Sequence, residues 1–132
     1  MSSSGAANGV VRPGAKPRGL ARIALAFRNT WNGLAGCWRE EEAFRQECLL
    51  ALAVLPGGIW LGRSGVERAL LVAPMFFILV VELLNSAIEA AIDRIGTERN
   101  ALSGLAKDLG SAAVFVSFLL LAADWALVLL GR

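Results

Sequence analysis

Apolar and polar positions divide the chain into an amphipathic stretch and three greasy runs. Leu20, Ile23, Phe27, Trp31, Leu34 and Trp38 recur at steps of three and four, with Arg22, Arg28, Asn29 and Asn32 on the opposite side. This spacing predicts a helix over about 20–38 whose narrow apolar face lies in a membrane interface. Gly33 and Gly36 weaken it, so a break is expected near them. Three charge-free runs follow, Cys48–Gly62, Ala69–Val81 and Leu109–Ala123. Alone, each is shorter than the roughly 18 residues that mark a membrane crossing, and a soluble bundle with buried helices would look similar. Joined to their polar-edged flanks they give three spans, about 44–62, 66–94 and 104–130. Trp60 and Trp125 stand near run ends, as interfacial anchors do. The expected fold is an all-α membrane protein, three transmembrane helices preceded by an N-terminal amphipathic surface helix, with residues 19–132 as one domain.

The second run ends in a pattern that a lipid-facing helix should not contain. At about 100° per residue, Glu82, Asn85, Ser86, Glu89 and Asp93 fall within an arc of about 100°. Only Leu, Ala and Ile lie between them. A carboxylate at bilayer depth costs on the order of 2.5–3.5 kcal/mol even on lenient scales. Keeping several there calls for a cation, a polar cavity or a substrate. Small residues at Ala87 and Ala91, Ser86 and Ala90, and Ala106 and Gly110 have the spacing that lets membrane helices approach closely, and self-association is expected.

Composition agrees with membrane residence: 56% of the 132 residues are hydrophobic. The net charge of +2 is too small for a nucleic-acid binder. Charge placement says more. Ten basic residues lie in the N-terminal region up to Arg45 or around the second loop, including Arg94, Arg99 and Lys107; Arg63, Arg68 and Arg132 lie on the other side. That asymmetry puts the N-terminus and the second loop in the cytoplasm. The polar stripe, Glu40–Glu42 and Lys107-Asp108 then meet at one cytosolic interface. Residues 1–18, rich in Ser, Gly and Ala, read as a disordered basic tail without the apolar core of a secretory signal.

The chain has no histidine, which removes imidazole bases and the usual zinc sites. Cys37 and Cys48 read as small core residues. Gly57–Ser64 mimics a phosphate-binding loop, but it ends an apolar span and has Arg63 where that loop has lysine. What remains is carboxylates and a lysine at a membrane surface. Glu82, Glu89 and members of Glu40–Glu42 would hold a hard cation through oxygen. Lys107 would meet phosphate, steered by its neighbour Asp108, with Ser103 and Ser111 on the same inward stripe. A buried glutamate is suited to act as general base. The inventory fits phosphoryl transfer to a lipid-embedded acceptor, and it also fits a small proton-coupled membrane transporter.

Glu-Ala-Phe-Arg-Gln-Glu (42–47), Val-Glu-Leu-Leu-Asn-Ser-Ala-Ile-Glu-Ala (81–90), Asp93-Arg94-Ile95-Gly96 and Leu-Ser-Gly-Leu-Ala-Lys-Asp-Leu-Gly-Ser-Ala-Ala-Val (102–114) resemble the bacterial integral-membrane diacylglycerol kinase family. The resemblance covers the chain from about Leu20 onward. It implies a homotrimer in the cytoplasmic (inner) membrane that uses ATP and Mg2+ to phosphorylate diacylglycerol, giving phosphatidate. By matching position, it implies Glu82 as general base supported by Asn85, and Glu41 and Glu89 as metal ligands. Arg22, Asn29, Glu98, Arg99, Asn100, Lys107 and Asp108 would contact nucleotide. Arg22, Ala43, Phe44, Arg45, Gln46, Glu47 and Glu82 would contact lipid substrate. A kinase acting on undecaprenol would share most of these motifs. Glu40 departs from the family pattern, as does Asn100, which stands where histidine is common.

Overall fold

The computed structural model of the chain describes residue 14 and residues 17–132. Apart from residues 14, 17 and 18, the tail expected over 1–18 lies outside the described residues. Four helices follow in order: α1 (Leu20–Glu40), α2 (Glu42–Leu61), α3 (Gly65–Ile95) and α4 (Ala101–Leu130). The chain divides into two compact units, one up to Gly33 and one over Leu34–Arg132.

In the first unit, Leu20, Ile23, Phe27 and Trp31 are all exposed along one face of α1. This is the arrangement of a surface helix whose apolar side meets an interface. The break expected at Gly33 and Gly36 does not occur, and α1 runs unbroken to Glu40. Each glycine costs a helix only about 1 kcal/mol relative to alanine, too little to interrupt a run flanked by Leu34, Ala35 and Trp38. The helix ends instead at Glu41, whose backbone is extended (φ −110, ψ 110).

In the second unit, α2, α3 and α4 are each long and apolar enough to cross a membrane. Side-chain capping fixes where α3 and α4 begin. Ser64 accepts from the Glu67 backbone N–H at 3.1 Å at the start of α3. Asn100 accepts from Leu102 N and Ser103 N at 2.9 and 3.2 Å at the start of α4. At the far end Arg132 donates to the Leu61 carbonyl at 2.6 Å and to Glu67 Oε2 at 3.0 Å.

Helix α3 packs against both of its neighbours, α2 and α4. Its buried stripe is Leu71, Pro74, Met75, Ile78 and Glu82. Against it α2 sets Gly58, Ala51, Glu47 and Phe44. A Cβ at Gly58 would lie 3.0 Å from Leu71 Cβ, so glycine permits close approach there. The core is thin: Ala51, Met75 and Ile78, with Val54, Leu55, Leu79, Phe118 and Leu121 packed on them. Most large apolar side chains point outward, among them Phe76, Phe77, Val80, Leu109, Phe115 and Leu119. A soluble bundle does the reverse, and this reversal excludes that alternative. The protein is a multi-pass, all-α membrane protein.

Two expected placements change. Trp125 is no free anchor: its indole N–H donates to the Leu71 carbonyl at 2.9 Å, bracing α4 on α3 one residue from where Pro74 deprives a carbonyl of its helical donor. Trp60 remains exposed at the end of α2. Ser111 is exposed, and the small residues α4 buries are Gly110 and Ser117. Gly57 and Gly58 of the loop mimic lie inside α2 and Gly62 caps its end, so no phosphate-binding loop exists there.

Candidate active site

The polar stripe of α3 enters the bundle at one end. Glu82 is only 4% exposed, and Glu47 of α2 is equally buried. The antiparallel register that sets Gly58 beside Leu71 and Ala51 beside Met75 and Ile78 brings Glu47 to the level of Glu82. The two carboxylates are within electrostatic reach of one another. Neither forms an ion pair among the described residues, and Glu47 Oε2 has no hydrogen-bond partner there. The lipid-contacting segment expected over 43–47 therefore divides. Phe44 and Glu47 face inward, while Ala43 and Gln46 are exposed. Arg45 has a separate task. Its guanidinium donates to the carbonyls of Trp38 and Arg39 at 2.7 and 3.1 Å, satisfying the end of α1 and fixing the turn at Glu41.

The end of α1 reaches this cluster through Cys37, whose thiol donates to Ser86 Oγ at 3.6 Å. Burial pushes the Cys37 thiol above its ordinary range. The Ser86 contact works the other way, and the Glu41, Glu82 and Glu47 carboxylates add to the rise. Cys37 is thus an inert, small core thiol beside the acidic groups, and both cysteines are free.

One turn further along α3, Asn85 donates from Nδ2 to Glu89 Oε1 at 3.1 Å. Its Oδ1 is buried without a partner and abuts Gly110 of α4, where a Cβ would collide with it. Glu89 is thereby held at a fixed place. Glu41 and Glu89 are both within electrostatic reach of Glu82.

At the α3–α4 turn a hollow of about 460 Å³ is lined by Asp93, Glu98, Arg99, Asn100 and Lys107, with Ser103 beside them. Four of the expected nucleotide contacts thus come together here. Asp108 does not line it and is exposed on α4. The neighbour that steers Lys107 is Asp93, at 2.6 Å, rather than Asp108. Consecutive helix residues point about 100° apart, so Asp108 faces away while α3 presents Asp93 directly. Asn100 commits its oxygen to capping α4, leaving its amide nitrogen for other contacts. Arg22 and Asn29 are exposed in the first unit. Among the described residues no three Cys, Asp or Glu side chains form a ready metal cage.

The sequence model described as prokaryotic diacylglycerol kinase matches residues 28–129. The chain belongs to this family. Its match spans most of α1, all of α2 and α3 and nearly all of α4, and includes every residue of the acidic cluster and the hollow; Arg22 lies before it. The diacylglycerol kinase of Pseudomonas aeruginosa is 47% identical over 113 residues, 86% of this chain and 92% of that protein. The diacylglycerol kinase of Escherichia coli (strain K12) is 42% identical over 111 residues, covering 84% and 91%. That of Helicobacter pylori (strain 26695) is 39% identical over 116 residues, covering 88% and 91%. Within this family member, sequence spacing alone did not reveal Asp93 as the partner of Lys107 or Glu47 as the group facing Glu82. Asp93 carried a signal, since it shares the stripe of Glu82 and Glu89. Glu47 carried none, because its depth depends on which face of α2 meets α3.

Proposed function

We propose that this chain is an ATP- and Mg2+-dependent diacylglycerol kinase of the bacterial cytoplasmic (inner) membrane, with its N-terminus and active site cytoplasmic. It transfers the terminal phosphoryl group of ATP to the free hydroxyl of 1,2-diacylglycerol, giving phosphatidate and ADP. The observation that carries the reading is the buried Glu82, set in an apolar helix where a lipid hydroxyl arrives without leaving the bilayer. Helix α3 is about 46 Å long at 1.5 Å per residue, well beyond the roughly 30 Å hydrocarbon core. Glu82 therefore meets the lipid side of the site, and Glu89 and Asp93, about 10 and 16 Å further along the axis, meet the aqueous side.

In this mechanism Glu82 takes the proton of the hydroxyl as its oxygen attacks the terminal phosphorus and the bond to the bridging oxygen breaks. Asn85 orients Glu89. Lys107 exchanges Asp93 for phosphate oxygens, and the hollow at the α3–α4 turn receives the nucleotide, with Glu98, Arg99 and Asn100 around it. Arg22 and Asn29 are further candidate nucleotide contacts, and the exposed Ala43 and Gln46 are candidate lipid contacts. Glu41 and Glu89 fit magnesium, which prefers one or two carboxylates together with substrate phosphates and so needs no larger cage. When bound, the ion neutralises phosphate charge as it redistributes. Exposed Ala87 and Ala91 on α3, with Ala90 between them, leave a small-residue face for another copy, in keeping with a homotrimer.

The test is transfer of label from [γ-32P]ATP into diacylglycerol presented in mixed micelles, with undecaprenol assayed alongside. Labelled phosphatidate with Mg2+ and none with EDTA is expected; labelling of the polyprenol alone would overturn the substrate assignment. Arg45→Ala should release the α1–α2 turn, costing about 1 kcal/mol and raising the Mg2+ concentration for half-maximal rate. A thermal unfolding curve and a Mg2+ titration of the rate measure the two effects separately.

A further inference from the structure

The hollow at the α3–α4 turn is electrically balanced. Its charged lining consists of Asp93 and Glu98 against Arg99 and Lys107. Lys107 is already satisfied by Asp93 at 2.6 Å, and Glu89 lies within electrostatic reach of the same ammonium. A polyphosphate that enters does not find a bare lysine. It finds an ion pair whose acidic member must be displaced yet stays nearby, because Asp93 is fixed on α3 only one turn beyond Glu89. The two members reach the hollow from different helices, so the neutrality follows from how α3 packs on α4.

We propose that Asp93 is a specificity-determining residue: by pairing with Lys107 it holds the hollow near neutrality and selects the metal-complexed nucleoside triphosphate over the free polyanion. The physical basis is that a ligand's energy in a potential scales with its charge. Free nucleoside triphosphate carries two more negative charges than its complex with one divalent cation. Removing the negative charge of Asp93 makes the local potential more positive. Both ligands then gain, and the free form gains more. For a unit charge several ångströms away in a water-like medium, the two-charge difference corresponds to about a tenfold change in relative affinity at low salt. The effect shrinks as ionic strength rises. The selectivity rests on the proposed nucleotide role of this hollow.

An ion pair this exposed contributes little to folding, so Asp93→Asn should remain folded. Affinity for a non-hydrolysable ATP analogue is measured on the full chain in detergent micelles, with excess Mg2+ and with EDTA, for the unmodified protein, Asp93→Asn and Asp93→Glu. The expected result is a preference for the Mg2+ complex in the unmodified protein that falls about tenfold in Asp93→Asn, returns in Asp93→Glu, and changes less in high salt. If the unmodified protein binds the analogue and Asp93→Asn leaves the preference unchanged, the proposal is overturned while the kinase reading stands. The proposal is likewise overturned if Asp93→Asn only lowers thermal stability, since the pair would then be just a tie between helices. If the unmodified protein binds neither form of the analogue, the nucleotide assignment falls, and the role of Asp93 falls with it.

Discussion

Glu82→Gln is expected to lower turnover by about 10²–10⁴-fold while the protein still inserts, folds and binds nucleotide. Glutamine keeps the size and polarity of the side chain but cannot accept the hydroxyl proton. Glu82 is the residue for which this separation should be sharpest, because it is buried in the seam with α2 and lies away from the aqueous hollow at the α3–α4 turn. The measurement is single-turnover phosphate transfer beside direct nucleotide binding. Turnover within about threefold of the unmodified chain would remove Glu82 from the role of base. Loss of nucleotide binding together with turnover would instead give it a part in holding the nucleotide. Glu47→Gln makes a useful companion. It replaces the carboxyl group facing Glu82 without touching the proposed base, so any change in rate reports how far that opposed group governs the site.

Gly110→Ala should produce the second large effect, from a residue with no functional group. A Cβ there would run into Asn85 Oδ1, and Asn85 is the side chain that holds Glu89. Asn85 must rotate, and Glu89 loses its support. Misplacing a catalytic group by about 1 Å can cost on the order of 10²-fold in rate, whereas overpacking of this size costs about 1–3 kcal/mol in stability. The variant should therefore fold with reduced stability, turn over roughly 10²-fold more slowly and need more Mg2+. A double-mutant cycle settles the route. If the clash with Asn85 is the cause, Gly110→Ala added to Asn85→Ala should cost little more than Asn85→Ala alone. Full additivity would place the effect elsewhere in the α3–α4 contact. Gly33→Ala serves as the control, since a Cβ at Gly33 meets nothing within 4 Å and Gly33 lies outside the hollow.

Much of this protein is set by patterns that act locally or through the solvent. The three-and-four spacing from Leu20 to Trp38 determined an amphipathic first helix. The apolar runs with their polar-edged flanks determined three long apolar helices, the form a backbone in lipid needs to satisfy its own hydrogen bonds, and the outward-facing apolar side chains of the folded chain excluded a soluble bundle. The carboxylate stripe from Glu82 to Asp93 was legible because helical period alone puts those residues on one side. The motifs over 42–47, 81–90 and 102–114 carried the family. Each of these is a property of one helix and its surroundings.

Tertiary structure decided what depends on two helices meeting. Which face of α2 packs on α3 decided that Glu47 stands opposite Glu82 instead of facing lipid. The approach of α4 to α3 made Asp93, and not the adjacent Asp108, the partner of Lys107, and turned Trp125 from an anchor into a brace on Leu71. It also gave Gly110 its importance, which comes from the side chain of Asn85 and from nothing in its own segment. Helical period orders residues around one axis; only packing fixes the rotation of each axis relative to its neighbour, and the carboxylate stripe of α3 acquires its partners from that rotation.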